Sequence, residues 1–437
     1  MTQIKKTFIA AAVLLCVICL LSLTVSADGE YYRVDNALLY GRAELAKLEN
    51  GSALVKTYDL ILDAVENGQS TITLNTMHSV KDIVITCEQL NTVAGAYRFD
   101  QPQNFWLNNI TYYYWSNGTV AEIVLEYFDY NIPTVRQTFH NACLQVIANA
   151  GVTEGMSEYE ITKRLYDAVA SLVEYDYTYA SSSYNAYGAV MTGKAVCEGY
   201  AELYQYLLYL NGIQSHVVTG DAGGPHAWNL VRIDGSYYQT DVTWGDPGGL
   251  ISYQFLNTTT AQISESRYFY DHGYPFPQCD SIAASYFTVE CGGDSYFYDT
   301  PSVENAIQQI RKKGEARFLH LGNGDFGFGA WIGNSINDIG YALDFYGSFS
   351  YYGFMDEYVM TAVDYVIPPE PEAGDVDGDE VITADDAVYI IYNLTFGSRE
   401  YPLNQSCDYD GDGSVTPKDA AYLLYHIFFG EEEFPLH

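Results

Sequence analysis

Two twelve-residue stretches constrain this chain more than any other feature: DVDGDEVITADD at 375–386 and DYDGDGSVTPKD at 408–419. Each repeats aspartate at positions 1, 3, 5 and 12. In the first these are Asp375, Asp377, Asp379 and Asp386; in the second, Asp408, Asp410, Asp412 and Asp419. Four carboxylates drawn into one loop need a counter-charge before the loop can close. Hard oxygen ligands at this spacing wrap one Ca²⁺, with a main-chain carbonyl from position 7 (Val381, Ser414) and help from position 9 (Thr383, Thr416). Position 6 is Gly413 in the second loop but Glu380 in the first, where the turn is therefore more strained. Aspartate at position 12 closes the cage with a carboxylate one methylene shorter than glutamate. Each loop leads into an apolar helix signal, at 386–397 and 419–430, and neither segment can bury a core alone. Residues 368–437 carry 16 acids and two bases. Folding of this module is therefore expected to depend on two bound Ca²⁺.

The duplicated loop–helix unit closely resembles a type I dockerin, over residues 375–437. The resemblance implies a small all-α calcium-binding module that plugs into a cohesin domain of a scaffoldin, and so a place in a secreted cellulosome. It also implies that loop positions 10 and 11 meet the cohesin. Here these are Ala384 and Asp385, then Pro417 and Lys418, two pairs that differ from each other, which leaves the cohesin type open. Ahead of the module, VIPPEPEAG at 366–374 reads as a stiff, extended linker.

The first 27 residues read as a secretory signal: Lys5 and Lys6, then an apolar run, then VSA before Asp28. Removing them takes away two lysines and no acids, which deepens a net charge already at −36. Such acidity argues against nucleic acid and anionic membrane surfaces, which need basic patches. No later segment is apolar enough to span a bilayer, so the expected protein is exported, extracellular and, after signal cleavage, free of the membrane. Tyrosine occurs 42 times, which suits contact with carbohydrate or peptide. Six cysteines remain beyond the signal, spread too widely for a disulfide scaffold and without a CxxC pair for zinc. Cys279 and Cys291 are near enough in sequence to pair.

Between signal and linker the pattern is α+β. Residues 28–150 mix signals: helical spacing at 43–68, aromatic strands flanking Asn117-Gly118 at 110–128, and a helix at 134–151. A capping signature, Ser157 with Glu160, opens another helix at 157–176. Residues 151–294 hold the chemistry described next. Residues 295–365 offer a helix at 300–314, a strand at 316–321 and no chemistry of their own, so they are expected to form scaffold or a substrate-binding wall.

Cys197 opens an amphipathic helix that stops at Asn211-Gly212. Alone it is a buried hydrophobe, half a disulfide or a nucleophile. A strand follows at 215–220, then PHAWNLVRIDGSYYQTDVTWGDP at 225–247. Asp234-Gly235 between two β-rich runs is a hairpin turn. If those two residues are the loop, Ile233 opposes Ser236, Trp228 opposes Asp241, and His226 shares a face with Asp241. A helix start favours a thiolate. His226 is then its base and Asp241 the group that fixes the ring, which makes a nucleophile, base and orienter set.

Residues from about 155 to 280 resemble the transglutaminase-like superfamily, with Cys197, His226 and Asp241 in the family's order. The resemblance implies a papain-like core, with a nucleophile helix on an antiparallel sheet, and thioester chemistry on an amide. Trp228, Asn229 and Trp244 are expected to line the site. Asp271 and His272 match the family's trailing pattern or serve packing. Thr192, Gly193 and Lys194 stand where papain-like enzymes carry an oxyanion-hole glutamine, so another donor is needed; the Cys197 main-chain N–H is one candidate. The leading expectation is a cysteine peptidase or related amide hydrolase acting on protein or peptide, with no cofactor for catalysis. A crosslinking transglutaminase and an inert binding module on the same fold are the alternatives. No pair of carboxylates stands in a known glycosidase framework, so any part in polysaccharide breakdown is indirect.

Overall fold

The computed structural model describes residues 32–79, 82–246, 250–322, 326–367, 373–377, 381–397, 401, 403, 407–411, 414–430 and 433–436. The expected signal at 1–27, linker residues 368–372, and Asp379, Glu380, Asp412 and Gly413 lie outside the described residues. The chain divides into two units. One takes in Met1–Ala306, Ala316–Ile339 and Tyr351–Met360; the other takes in Ile307–Glu315, Gly340–Ser350 and Thr361–His437.

The first unit opens with α1 (Tyr40–Leu45) and α2 (Gly51–Glu66). A single helix is expected across 43–68, but Asn50 adopts a left-handed φ of 64° and splits it. A Cβ on Gly51 would lie 2.5 Å from the Ala46 carbonyl oxygen, so only glycine lets the second helix start there. Next come β1 (Thr71–Thr73), α3 (Cys87–Asp100), β2 (Leu107–Tyr114), β3 (Val120–Tyr127) and α4 (Ile132–Asn149). β2 and β3 form an antiparallel hairpin around Asn117-Gly118, with β1 on the outer edge of β3.

The central part follows with α5 (Glu158–Leu172), β4 (Glu174–Tyr175), α6 (Ala186–Thr192), β5 (Lys194–Ala195) and α7 (Cys197–Leu210). The expected capping box of Ser157 and Glu160 opens α5. Then come β6 (Ser215–Asp221), β7 (Pro225–Ile233), β8 (Ser236–Thr240), α8 (Thr260–Ile263) and β9 (Tyr268–Phe269). These four strands form one antiparallel sheet in the order β8-β7-β6-β9. α7 packs on β6 and β7. Most of α7 is buried, including Tyr200, Tyr204, Tyr206 and Tyr209. Buried phenols need acceptors: Tyr200 donates to the Val173 carbonyl (2.6 Å), Tyr204 to Thr162 (3.0 Å) and Tyr209 to Ser215 (2.8 Å). Part of the tyrosine content is thus core.

After α9 (Tyr286–Cys291), four strands make a further sheet in the order β10-β11-β13-β12. They are β10 (Tyr296–Phe297), β11 (Glu315–His320), β12 (Phe349–Phe354) and β13 (Glu357–Ala362), with α10 (Val303–Lys313) and α11 (Phe328–Ala342) between them. The last part of the chain holds α12 (Ala384–Phe396) and α13 (Pro417–Phe429), which pack together over Val376, Ala387, Ile390, Cys407, Tyr409, Ala420 and Leu423. The six cysteines in the described residues form no disulfide, Cys279 and Cys291 included. No helix among the described residues is long and apolar enough to cross a membrane.

Candidate active site

Cys197 is the first residue of α7, where helix N–H groups lack intrahelical partners. Val196 ahead of it is extended and donates its N–H to the Ser183 carbonyl (2.9 Å). Gly199 lets this turn sit close: a Cβ there would lie 2.5 Å from the Ser183 carbonyl oxygen. Cys197 is partly buried and packs, as Phe99 does, against the cluster of Ala201, Val217 and Ala227.

The hairpin of β7 and β8 turns on Asp234 and Gly235, with φ of 48° and 83°. Its register pairs Ile233 with Ser236 and Asn229 with Thr240. His226 Nε2 meets Asp241 Oδ2 at 2.8 Å. An ionised carboxylate only accepts, so Nε2 carries the proton and Nδ1 is the atom left for chemistry. Burial works against protonating His226. The charge of Asp241, the hydrogen bond to it, and the hydrogen bond and charge of Cys197 outweigh that, and the pKa is pushed up to about 9. Asp241 is fully buried, which alone would raise its pKa, yet His226 and Arg267 hold it down to about 2.

Arg267 carries no sequence signal and is not among the expected site residues. Its Nε and Nη2 donate to the same Asp241 Oδ2, at 3.1 and 2.6 Å. Trp244 donates its main-chain N–H to Asp241 Oδ1 (3.2 Å) and turns its ring edge toward His226. Of the three residues expected to line the site, Trp244 is partly exposed, whereas Trp228 and Asn229 are buried. Trp228 Nε1 donates to Gln239 Oε1 (2.8 Å), and Asn229 Nδ2 donates to the Ala201 carbonyl (3.0 Å), tying β7 to α7. Gly220 stands opposite His226 on β6; a Cβ there would meet the Tyr268 carbonyl oxygen at 2.1 Å and the Trp228 ring at 2.7 Å.

His272 stacks on Phe99 and accepts from the Thr219 N–H (3.3 Å) through Nε2. Burial, then the neighbouring His216, pulls its pKa down to about 4 against the charge of Asp271, so the ring is neutral. A second Asp–His pair lies fully buried: His216 Nδ1 meets Asp100 Oδ1 (2.9 Å) and its Nε2 meets the Tyr274 hydroxyl (3.0 Å). Asp100 also accepts from the N–H groups of Gly41 and Arg42 at the start of α1 (2.9 and 2.7 Å). That pair ties helix to sheet and has no thiol on it.

At the other end of the chain, Asp375, Asp377 and Asp386 gather within 4.8 Å, as do Asp408, Asp410 and Asp419. Three carboxylates held that close repel one another until a hard divalent cation sits among them, so these residues fit Ca²⁺. The position-12 aspartates do a second job. Asp386 accepts from the N–H groups of Val376 (2.6 Å), Asp377 (3.2 Å) and Thr383 (2.7 Å); Asp419 accepts from those of Tyr409 (2.7 Å), Asp410 (3.2 Å) and Thr416 (2.8 Å). Thr383 and Thr416 cap the two helices, each in a capping box with that aspartate. Val381 and Ser414 are exposed.

The chain is thus an α+β protein with a cysteine-led helix on an antiparallel sheet and a helical module carrying two acidic clusters. It carries a transglutaminase-like core domain and a type I dockerin domain: the model of the transglutaminase-like superfamily matches residues 146–242, and that of the dockerin type I domain matches residues 373–427. The dockerin implies binding to a cohesin and suggests an extracellular cellulosome. The kyphoscoliosis peptidase of Mus musculus is 27% identical over 128 residues, and that of Homo sapiens 27% over 126. These alignments cover 25% and 23% of this chain, and 18% and 19% of those proteins. The chain therefore spans less than a fifth of the curated relatives it matches. A solved structure described as a TGase is similar over 33% of this chain and 46% of its own, at 18% identity and a TM-score of 0.23.

Proposed function

We propose that this protein is a secreted, cellulosome-associated cysteine peptidase or related amide hydrolase, with Cys197 as nucleophile, His226 as general base and acid, and Asp241 as the group that orients the imidazole. The observation that carries this reading is the His226 ring, bonded through Nε2 to a buried ionised Asp241, with Cys197 at the start of α7 near enough for its charge to raise the His226 pKa. The name of the kyphoscoliosis peptidases is consistent with it. In the reaction, the Cys197 thiolate attacks an amide carbonyl carbon and the carbonyl electrons move to oxygen. His226 gives its proton to the departing nitrogen as the C–N bond breaks, which leaves a thioester on Cys197. Water, deprotonated by His226, then attacks the thioester and frees the acid and the thiolate. Trp244 forms part of the wall beside His226. No cofactor enters these steps. Two Ca²⁺ serve the dockerin, with Asp379, Asp412 and the carbonyls of Val381 and Ser414 completing their shells. The substrate is protein or peptide, and the dockerin holds the enzyme to a scaffoldin cohesin.

The test incubates a mixed protein digest with the wild-type chain and with Cys197→Ala, followed by mass spectrometry. New peptide termini with wild type alone are the expected result. Gln–Lys-linked peptides formed with loss of ammonia would replace hydrolysis by crosslinking. Identical digests would make this a cohesin-anchored binding protein without chemistry.

A further inference from the structure

We infer that Arg267 is a positioning residue for this site: its guanidinium is the buried counter-charge that lets Cys197 and His226 stand as thiolate and imidazolium beside an ionised Asp241. The inference rests on the nucleophile reading above and assigns a role that the order of Cys, His and Asp in the sequence does not contain.

The geometry is specific. Arg267 immediately precedes β9, which pairs with Gly220 and Asp221 at the end of β6, next to His226 on β7. Its side chain is closed to solvent. Two of its nitrogens converge on the one carboxylate oxygen that also accepts from His226. The guanidinium carbon lies 4.4 Å from the centre of the Trp244 ring and 4.1 Å from that of Phe255. Nη1 donates to Ser266 Oγ (2.7 Å). Closed to solvent beside these two rings, the guanidinium commits its charge to Asp241.

A charge count shows the consequence. Thiolate, imidazolium, carboxylate and guanidinium sum to zero. Without Arg267 the same state leaves one net negative charge in a buried site, and the protonated thiol becomes the neutral alternative. The other ionisable groups around the set do not substitute for it. On α7, Glu198 is paired with Arg98 of α3 (2.7 Å), and Glu202 is buried, its pKa raised by burial and then by Glu198. Tyr175 of β4 is raised to about 12, by burial and then by Cys197, so it stays neutral. Tyr166 of α5 reaches the Asp241 main-chain carbonyl (3.4 Å) and is raised by burial and then by Asp241. Tyr200 of α7 is bonded to Asp246 (3.0 Å), and His272 is neutral. Besides His226, Arg267 is the cation bonded to Asp241 among the described residues.

The experiment is iodoacetamide alkylation of the full chain with calcium, from about pH 5 to about pH 9, with Cys197 read from its own peptide by mass spectrometry. Wild type should keep reacting below about pH 6. Arg267→Gln should move that acid limb up by about one unit, roughly a tenfold slower reaction at about pH 6. Arg267→Lys, which keeps the charge but not the fork, should stay within about half a unit of wild type. A limb that Arg267→Gln leaves in place overturns the inference and spares the nucleophile reading. A lysine variant shifted as far as the glutamine variant also overturns it, since charge would not be the cause. Should Arg267→Gln not fold, the lysine variant decides by the same half-unit criterion. A wild-type thiol with no acid limb removes the ion pair, and both readings fall together.

Discussion

At the scale of single residues, the proton affinity of His226 ties the site to the stability of the fold. Its pKa of about 9 stands above the ordinary 6.5 of a free imidazole. A group whose folded pKa is raised adds stability that is complete below the unfolded value and fades as pH rises through the folded one. The stability difference between wild type and His226→Gln should therefore be largest below about pH 6.5, on the order of 3 kcal/mol, and shrink through about pH 9. Urea unfolding at a series of pH values measures it; a difference that grows toward alkaline pH would sink the account. Asp241 works in the opposite sense: its depressed pKa adds stability that is complete above the ordinary value of 3.8 and is lost as pH falls from there through about 2. Cys197, His226 and Asp241 are readable in sequence because a helix start and a two-residue turn fix where their side chains go. Arg267 is not, because it reaches Asp241 from 26 residues further along, in a segment whose local pattern says nothing of its destination. Asn229 looks like site lining by residue type, yet type cannot tell an open wall from the seam between α7 and the sheet, where it bonds the Ala201 carbonyl; Trp228 is buried but stacks beside the His226 ring.

At the scale of elements, residues 295–365 show how a stretch without chemistry still bears on the site. Glu357, the first residue of β13, is fully buried. It accepts from Ser252 Oγ (2.5 Å), from the N–H groups of Tyr253 (2.8 Å) and Gln254 (3.2 Å), and from Arg317 Nη1 (2.8 Å) on β11. The segment it grips lies just beyond Trp244, and Arg317 closes the loop by donating to the Ile251 carbonyl (2.8 Å). Glu357→Gln would remove the carboxylate charge facing the buried Arg317 guanidinium, so it should cost about 3–5 kcal/mol. Replacing both partners, Glu357→Leu with Arg317→Met, should recover much of that loss. Urea midpoints of the three variants test the pair, and a single variant as stable as wild type would show that the charge is not needed. Helices and strands here were legible from apolar period, caps and turn residues. This carboxylate is not, because its partners lie 40 to 105 positions away and nothing local marks it. The break between α1 and α2 is hidden from the sequence for the opposite reason: the apolar spacing runs through Asn50-Gly51, and only the left-handed backbone there interrupts it.

At the scale of the whole molecule, the two domains use acidic residues in opposite ways, which makes their dependence on solution conditions separable. Around Cys197 each buried carboxylate has a protein cation or main-chain donor: Asp241 has Arg267 and His226, and Glu357 has Arg317. In the dockerin, three carboxylates per loop converge within 4.8 Å, and the helices that follow begin at caps built from the same loop residues. Metal, cap and helix start are therefore one cooperative unit, and the small apolar cluster beneath α12 and α13 has little else to hold it. Chelation with EGTA should melt α12 and α13 and abolish capture by an immobilised cohesin, while the acid limb of Cys197 alkylation stays within error of its value with calcium. Asp386→Asn and Asp419→Asn should each weaken calcium binding and loosen the helix start of their own repeat, since each aspartate stands in an acidic cluster suited to calcium and completes the capping box of its helix. Far-ultraviolet circular dichroism against calcium concentration reads both effects. Retention of helical signal and cohesin capture in EGTA would mean that the apolar cluster alone carries the fold, and the acidic loops would then need another explanation.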